Sequence, residues 1–302
     1  MSVNYKNINA QKSTNSMLGA LRNFYTYSKR NVSLPIGLFI LTCIVLFWLI
    51  GLLFVDPSHN EPLSAPPNLP PSMEYPLGTE RQGKDLLAVM VTGIPLTLQI
   101  GLLAGGLGVL IGVVLGFTSA YYGGLVDVII RGVTDVFLTI PPLVILILIA
   151  VSIQGGLSIN QMALIVAAVS WVWPTRAIRS QVLSLRERAY VRIARLNGMG
   201  NIEIIVKELM PNMLPYIGAS MVGAVASAVL ASIGLSALGL GSMESPDVGM
   251  TIYWVIFYSA LITGMWWWWI PPMILVILLF VGLFLVSAGL DEVANPRVRK
   301  SE

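Results

Sequence analysis

An all-α polytopic membrane protein with six transmembrane helices and both termini in the cytoplasm is the fold class that this sequence predicts. Three observations carry the prediction. Hydrophobic residues fill 56% of the 302 positions, charged residues only 11%, and the mean hydropathy is +0.79. A soluble domain carries about 25% charged residues, so lipid must be the solvent for much of this chain. Six apolar runs are long enough to cross a bilayer, which takes about 20 residues, and the basic residues gather on one side of them.

The spans follow in order. Residues 34–55 form the first, ended by Asp56-Pro57. It is too long for a signal-peptide core and no small-residue cleavage pattern follows it, so it reads as an uncleaved anchor. Residues 95–121 form the second, closed by Gly123-Gly124, and residues 126–153 the third, with Pro141-Pro142 as a kink. Residues 159–177, 216–240 and 270–290 complete the set. The run 251–269 is apolar but ends in four consecutive tryptophans, Trp266 to Trp269, which suit an interface better than a bilayer centre. It reads as a helical segment on or dipping into the outer face, with a seventh crossing as the alternative. The expected organisation is a cytoplasmic tail (1–33), the first span (34–55), a Pro-rich outer loop (56–90), a five-helix core (91–290) holding a cytoplasmic loop at 178–212, and a C-terminal tail (291–302).

Orientation comes from Lys and Arg. The inner side holds Lys6, Lys12, Arg22, Lys29 and Arg30, then Arg131, then Arg176, Arg179, Arg186, Arg188, Arg192, Arg195 and Lys207, and finally Arg297, Arg299 and Lys300. Only Arg81 and Lys84 remain outside, as the positive-inside rule requires. A seventh crossing would carry the C-terminal trio outward. The net charge of +3 therefore reflects topology, and no aromatic platform interleaves these residues as nucleic-acid binding demands. One cysteine, Cys43, and one histidine, His59, exclude an internal disulfide, a His/Cys metal cluster and a His-based triad.

In span two, Gly101, Gly105, Gly108, Gly112 and Gly116 recur every three or four residues and line one face; span five carries Gly223, Ala226, Ser227, Ala231 and Gly234. Small residues let membrane helices approach closely, and such faces are also expected to border a translocation path. Span three carries Asp127, Arg131 and Asp135 at i, i+4 and i+8, one stripe. Ionisable groups in a span are expensive and normally paired, so the stripe reads as a structural charge ladder rather than an ion site. The outer loop holds Pro57, Pro62, Pro66, Pro67, Pro70, Pro71 and Pro76 and reads as an extended, stiff connector.

Residues 190–211, YVRIARLNGMGNIEIIVKELMP, are a basic block between two greasy segments, a candidate handle for a soluble motor. Three motifs resemble permeases of dipeptide/oligopeptide-type ABC importers, the inner-membrane components of binding-protein-dependent transport systems. Residues 75–87, YPLGTERQGKDLL, are similar to that class's Pro-Leu-Gly-Thr-Asp…Gly-Arg-Asp signature, with Glu80 and Lys84 as conservative replacements. Residues 190–211 resemble the permease motif Glu-Ala-Ala, three residues, Gly, nine residues, Ile-x-Leu-Pro. Ala194, Gly198 and Pro211 match it, while Arg192, Ile193, Glu208 and Met210 replace the Glu, first Ala, Ile and Leu. Residues 236–241 with 246–249, the Trp cluster, Gly289-Leu290-Asp291 and Asn295-Pro296-Arg297 look like the class's C-terminal hallmarks.

The resemblance implies a type I ABC importer permease fold and a non-catalytic subunit. Its implied partners are a second homologous permease, two ATPase subunits that hold ATP and Mg, and an extracytoplasmic solute-binding protein, with lipid around it and no nucleic acid. No cofactor belongs to the chain, which lacks a Gly-x-x-x-x-Gly-Lys-Ser/Thr loop. Residues 187–200 would form the coupling helix, with Glu187, Arg188, Tyr190, Arg192, Ala194, Arg195, Gly198 and Pro211 as the coupling residues. Ala194 and Gly198 are spaced to leave a notch for a partner side chain, Gly198 can also cap the helix, and Pro211 limits helix continuation. Peptides are the implied cargo; oligosaccharides and nickel chelates are alternatives, as is a secondary transporter or channel subunit, for which no repeat is visible.

Overall fold

The computed structural model describes residues 32–153, 156–243 and 246–294. The N-terminal basic cluster, Asn295-Pro296-Arg297 and the terminal basic trio lie outside the described residues. Helix α1 (Ser33–Phe54) is followed by a folded loop and then by α2 (Leu86–Tyr122), α3 (Gly124–Thr139), α4 (Pro142–Val151), α5 (Ile159–Ser170) and α6 (Val172–Leu185). Next come α7 (Ala189–Leu196), α8 (Asn201–Leu240), α9 (Val248–Phe257) and α10 (Trp266–Ala294). Five stretches are long and apolar enough to cross a membrane: α1, α2, the continuous α5–α6 rod, α8 and α10. The α3–α4 pair makes a sixth only as one broken span, bent by 83°. Ile140 is extended (φ −93°, ψ 128°) ahead of Pro141, and Pro142 opens α4. Each proline bars its predecessor from the helical region, so two in a row break the span outright.

Several spans run further than hydropathy marks them. Helix α2 starts nine residues before Pro95 because the Asp85 carboxylate caps it, accepting from Leu87 N at 3.0 Å. The α5–α6 rod continues to Leu185 and α8 begins at Asn201, so most of the expected loop at 178–212 is helical. Pro211 does not stop α8. Residues Ile205–Leu209 widen into a π turn just before it, which absorbs the hydrogen bond that Pro211 cannot donate. Asn212 Nδ2 donates to Glu208 O at 2.6 Å alongside.

Helix α2 is the central post, and its glycine seam serves two neighbours. A Cβ on Gly105 would lie 2.7 Å from Val225 N of α8, whereas one on Gly108 would lie 2.8 Å from the Ser170 carbonyl carbon of α5. Gly112 and Gly116 abut Pro174, Thr175 and Ile178 of α6 in the same way. On α8, Gly223 faces Ser287 of α10, whose hydroxyl donates to Ala219 O at 3.2 Å, and Gly234 faces Leu143 of α4. The α2 seam is thus closed against other helices, whereas the α8 face is only partly covered, with Ser227 exposed. Helix α1 packs on α10, with Leu34 against Gly289 and Gly37 against Gly282, and meets α2 where Gly51 abuts Val91.

The Pro-rich segment is a folded cap, not an extended connector. Leu63 N, Ala65 N and Asn68 N donate to Gln82 O, Gly83 O and Glu80 O, and Thr79 N donates to Leu69 O. Gly78 (φ +78°) and Gly83 (φ +72°) allow the reversals, and a Cβ on either would strike Leu69 O or Ala65 O. The tryptophans form the first turn of α10 rather than a surface segment. Trp268 is fully buried and donates Nε1–H to Glu80 Oε2 at 3.1 Å; Trp267 donates to Thr79 O at 3.3 Å. At ten residues, α9 is too short to make a seventh crossing of a core about 30 Å thick.

Candidate coupling surface

At the end of the bundle opposite the cap, α7 closes a buried cluster of Phe117, Tyr121, Ile178, Val182, Ile204, Leu209 and Met213. Its sequence is amphipathic at the helical period. Val191 and Ala194 point inward, 0% and 5% exposed, while Ile193 and Leu196 stand out at 56% and 87%. Ala194 therefore fills the chain's own core, and the notch expected from its spacing to Gly198 is not open. Arg188, Arg192 and Arg195 lie on the exposed side. Tyr190 is half-buried, and desolvation pushes its phenol above the usual value.

The helix is shorter than residues 187–200, and local bonds fix both ends. Arg188 precedes it in extended conformation (φ −70°, ψ 150°). At the far end Gly198 N bonds Arg195 O at 3.1 Å and Met199 N bonds Ala194 O at 3.2 Å, with Gly198 at φ +82°. That pair of bonds is a Schellman cap, which favours glycine. Arg186 donates Nε–H to Glu187 Oε1 at 3.2 Å and its Nη1 reaches Ala120 O at the end of α2. Arg192 Nη2 donates to Glu187 O at 3.0 Å, and the Arg195 guanidinium sits over the Tyr121 ring, 5.9 Å from its centroid. Tyr121 Oη in turn donates to Asn201 Oδ1 at 3.0 Å. Of the expected coupling residues, Glu187 to Gly198 gather on and around α7, while Pro211 lies in α8 beyond the π turn.

Asp127, Arg131 and Asp135 do not pair along α3. Asp127 is held by Arg179 of α6 through two parallel bonds, one of 2.7 Å from Nη2 to Oδ2, and Ser119 Oγ of α2 donates to the same carboxylate. Asp135 meets Arg176 of α6 at 3.9 Å, and Arg131 is exposed with neither carboxylate as its ion-pair partner. A guanidinium fork approaching from a facing helix offers bidentate geometry that a residue one turn along the same helix cannot match. Arg179 and Ser119 were not singled out from the sequence. The available signal was the rule that an intramembrane carboxylate needs a partner, with Arg176 and Arg179 one turn apart in the next span.

The family model of the binding-protein-dependent transport system inner membrane component matches residues 108–300. The dipeptide transport system permease protein DppC of Bacillus subtilis (strain 168) is 29% identical over 295 residues, 98% of this chain and 91% of that one. The protein of the same name from Alkalihalophilus pseudofirmus is 31% identical over 73% of this chain and 72% of its own length. The oligopeptide transport system permease protein OppC of Bacillus subtilis is 27% identical over 96% of this chain and 94% of its own. A solved chain of the MetNI methionine ABC transporter in inward-facing conformations is similar at 20% identity and a TM-score of 0.48, over 70% of this chain and 97% of that chain. The chain belongs to the family of binding-protein-dependent transport system inner membrane components, and is a non-catalytic, multi-pass permease subunit of a bacterial ABC importer that works with ATPase and solute-binding partners.

Proposed function

We propose that this permease imports di- and oligopeptides handed over by an extracytoplasmic binding protein, paired with a second homologous permease above two ATPase subunits. Relatives named as dipeptide and oligopeptide permeases, aligned over nearly the whole chain, support the cargo. In this reading the α7 end is cytoplasmic, residues 178–212 form the coupling region, and residues 56–85 cap the outer side. Both chain tails then lie inside.

The observation that carries the coupling role is the split surface of α7. Val191 and Ala194 lock it to α2, α6 and α8, while Ile193, Leu196 and three exposed arginines face outward, and among the described residues none of those arginines has a carboxylate as its ion-pair partner. A rigidly held helix with an open apolar and cationic face can transmit a push to the spans beneath it. ATP-driven approach of the motor subunits would shift α7 and α8 together, since only contacts that differ between two states can drive a change. The test is copurification from native membranes. The ATPase should come with the wild-type chain and be lost on Gly198→Glu, which strains the φ +82° cap. A permease that retains its ATPase in that variant, or never had one, sinks the coupling role. Uptake of a radiolabelled dipeptide, dependent on ATP and on the binding protein, tests the cargo separately.

A further inference from the structure

We infer that the outward face of α6, formed by Trp173, Arg176 and Ser180, lines the water-filled transport path together with Asp135 of α3. The Asp135–Arg176 pair is the station where that path meets the charged ends of the cargo. The station rests on the peptide reading above; the wall does not.

The chain shows two kinds of open surface. Helices α1 and α10 expose Leu46, Leu49, Leu53, Ile274, Ile277 and Phe284, and neither carries a charge between residues 33–54 or 266–290. Those faces suit lipid. The α3–α6 side differs. Trp173 is 70% exposed, Ser180 is exposed, and the Arg176 and Asp135 side chains are 67% and 53% exposed at 3.9 Å from each other. Residues 173, 176 and 180 are spaced by three and four, hence on one helix face. Charged groups in a spanning helix turn toward the bundle interior or a water-filled cavity, because lipid solvates them poorly.

The same two helices hold a second pair for contrast. Asp127–Arg179 is bidentate, about four-fifths covered and sealed between α2, α3 and α6. It serves as a fastener. Asp135–Arg176 is long, open and single, and an exposed pair in water gains little net energy. Its charges can exchange with the carboxylate and ammonium of a zwitterion, the guanidinium fork suiting the carboxylate. Trp173, and Phe137 packed edge-on against Trp171 at 5.6 Å, add apolar area that favours no particular peptide side chain. The glycine seam of α2 cannot be this wall, since α5, α6 and α8 cover it.

Cys43 is the single cysteine, so Cys43→Ser clears the background for labelling in membranes that contain the whole transporter. Trp173→Cys and Ser180→Cys should react with a charged methanethiosulfonate at least about tenfold faster than Leu49→Cys and Ile277→Cys on the lipid faces. Equal, slow reaction at all four positions overturns the wall, whether lipid or a second permease covers it. Arg176→Gln and Asp135→Asn should then lower the peptide imported per ATP hydrolysed, with ATPase stimulation by loaded binding protein retained. An unchanged ratio, or a parallel loss of both activities, overturns the station. If the wild-type transporter imports no peptide while positions 173 and 180 still label, the peptide reading and the station fall and the wall stands.

Discussion

Glu80 shows how one side chain can set the firmness of a whole cap. It is 1% exposed, accepts from Trp268 Nε1 and lies 4.0 Å from Lys84 Nζ. Burial pushes its carboxyl up to about 7, with Lys84 and the indole N–H pulling it back. A raised folded value means that the closed cap holds the proton more tightly than the open one. The stabilising contribution is therefore complete below about pH 4.5 and is lost as pH rises through about 7. The difference is on the order of 3 kcal/mol. Protection factors across residues 63–83, with the base-catalysed intrinsic exchange rate divided out, should be higher at pH 5 than at pH 8 in the purified protein, and Glu80→Gln should abolish that contrast. The motif around Glu80 was plain in the sequence, but its partner was not: Trp268 is 188 residues away. The same holds for Asp127 and Arg179, 52 residues apart. Residue identity announced that these carboxylates needed partners, and only the packing of helices decided which.

Elements were legible where lipid dictates them and misread where a local bond overrides hydropathy. The apolar runs located the five long helices, since a bilayer demands a continuous helix, and the sixth run fell on the broken α3–α4 pair. Their ends moved because Asp85 caps α2 early and because the π turn lets α8 pass through Pro211. Both are backbone solutions that a hydropathy window averages away. The glycine seam was read correctly as a packing face, and it makes a matched prediction. Gly108→Leu places a side chain 2.8 Å from the Ser170 backbone, whereas a Cβ at Gly132 on α3 meets nothing within 4 Å. Overpacking a tight contact costs about 1–3 kcal/mol or more. The Gly108 variant should lose several degrees of thermal midpoint, or fail to accumulate, while Gly132→Leu stays near wild type. Equal behaviour of the two would mean that α2 is not the central post. Pro211→Ala offers a second check on α8. It restores the missing N–H, so the π turn should relax to regular helix. Midpoint should hold or rise while uptake falls, because removing one residue from the turn rotates α7 relative to the span.

At the scale of the molecule, charge is distributed by end. The exposed Arg188, Arg192 and Arg195 stand at the α7 end, while the cap buries Lys84 beside Glu80 and lays Arg81 over the Tyr258 ring at 5.5 Å. The cap end thus holds two cations, one buried beside a carboxylate and one resting on a ring, whereas the α7 end presents three exposed guanidinium groups with no carboxylate as ion-pair partner among the described residues. That asymmetry was visible in the sequence as a count of basic residues, but the division of labour on α7 was not, because Ala194, expected to face a partner, is buried while Ile193 stands exposed. It leads to a prediction about salt. Attraction between three exposed guanidinium groups and an acidic motor surface is screened over about 10 Å at 0.1 M ionic strength. Contact through Ile193 and Leu196, 56% and 87% exposed, is not screened and instead scales with apolar area. Binding of the ATPase to the permease should therefore weaken with salt to a plateau rather than to zero. Neutralising Arg188, Arg192 and Arg195 to Gln should flatten the salt dependence and leave the plateau. Leu196→Ser should lower the plateau, by about 1–2 kcal/mol for a side chain of this size, and leave the slope. Affinity titrations of the ATPase on permease-loaded nanodiscs at several salt concentrations separate the two contributions. If the Arg variants lose the plateau and Leu196→Ser loses nothing, the grip is purely ionic, and α7 would lack the unscreened apolar contact that a stiff mechanical linkage needs.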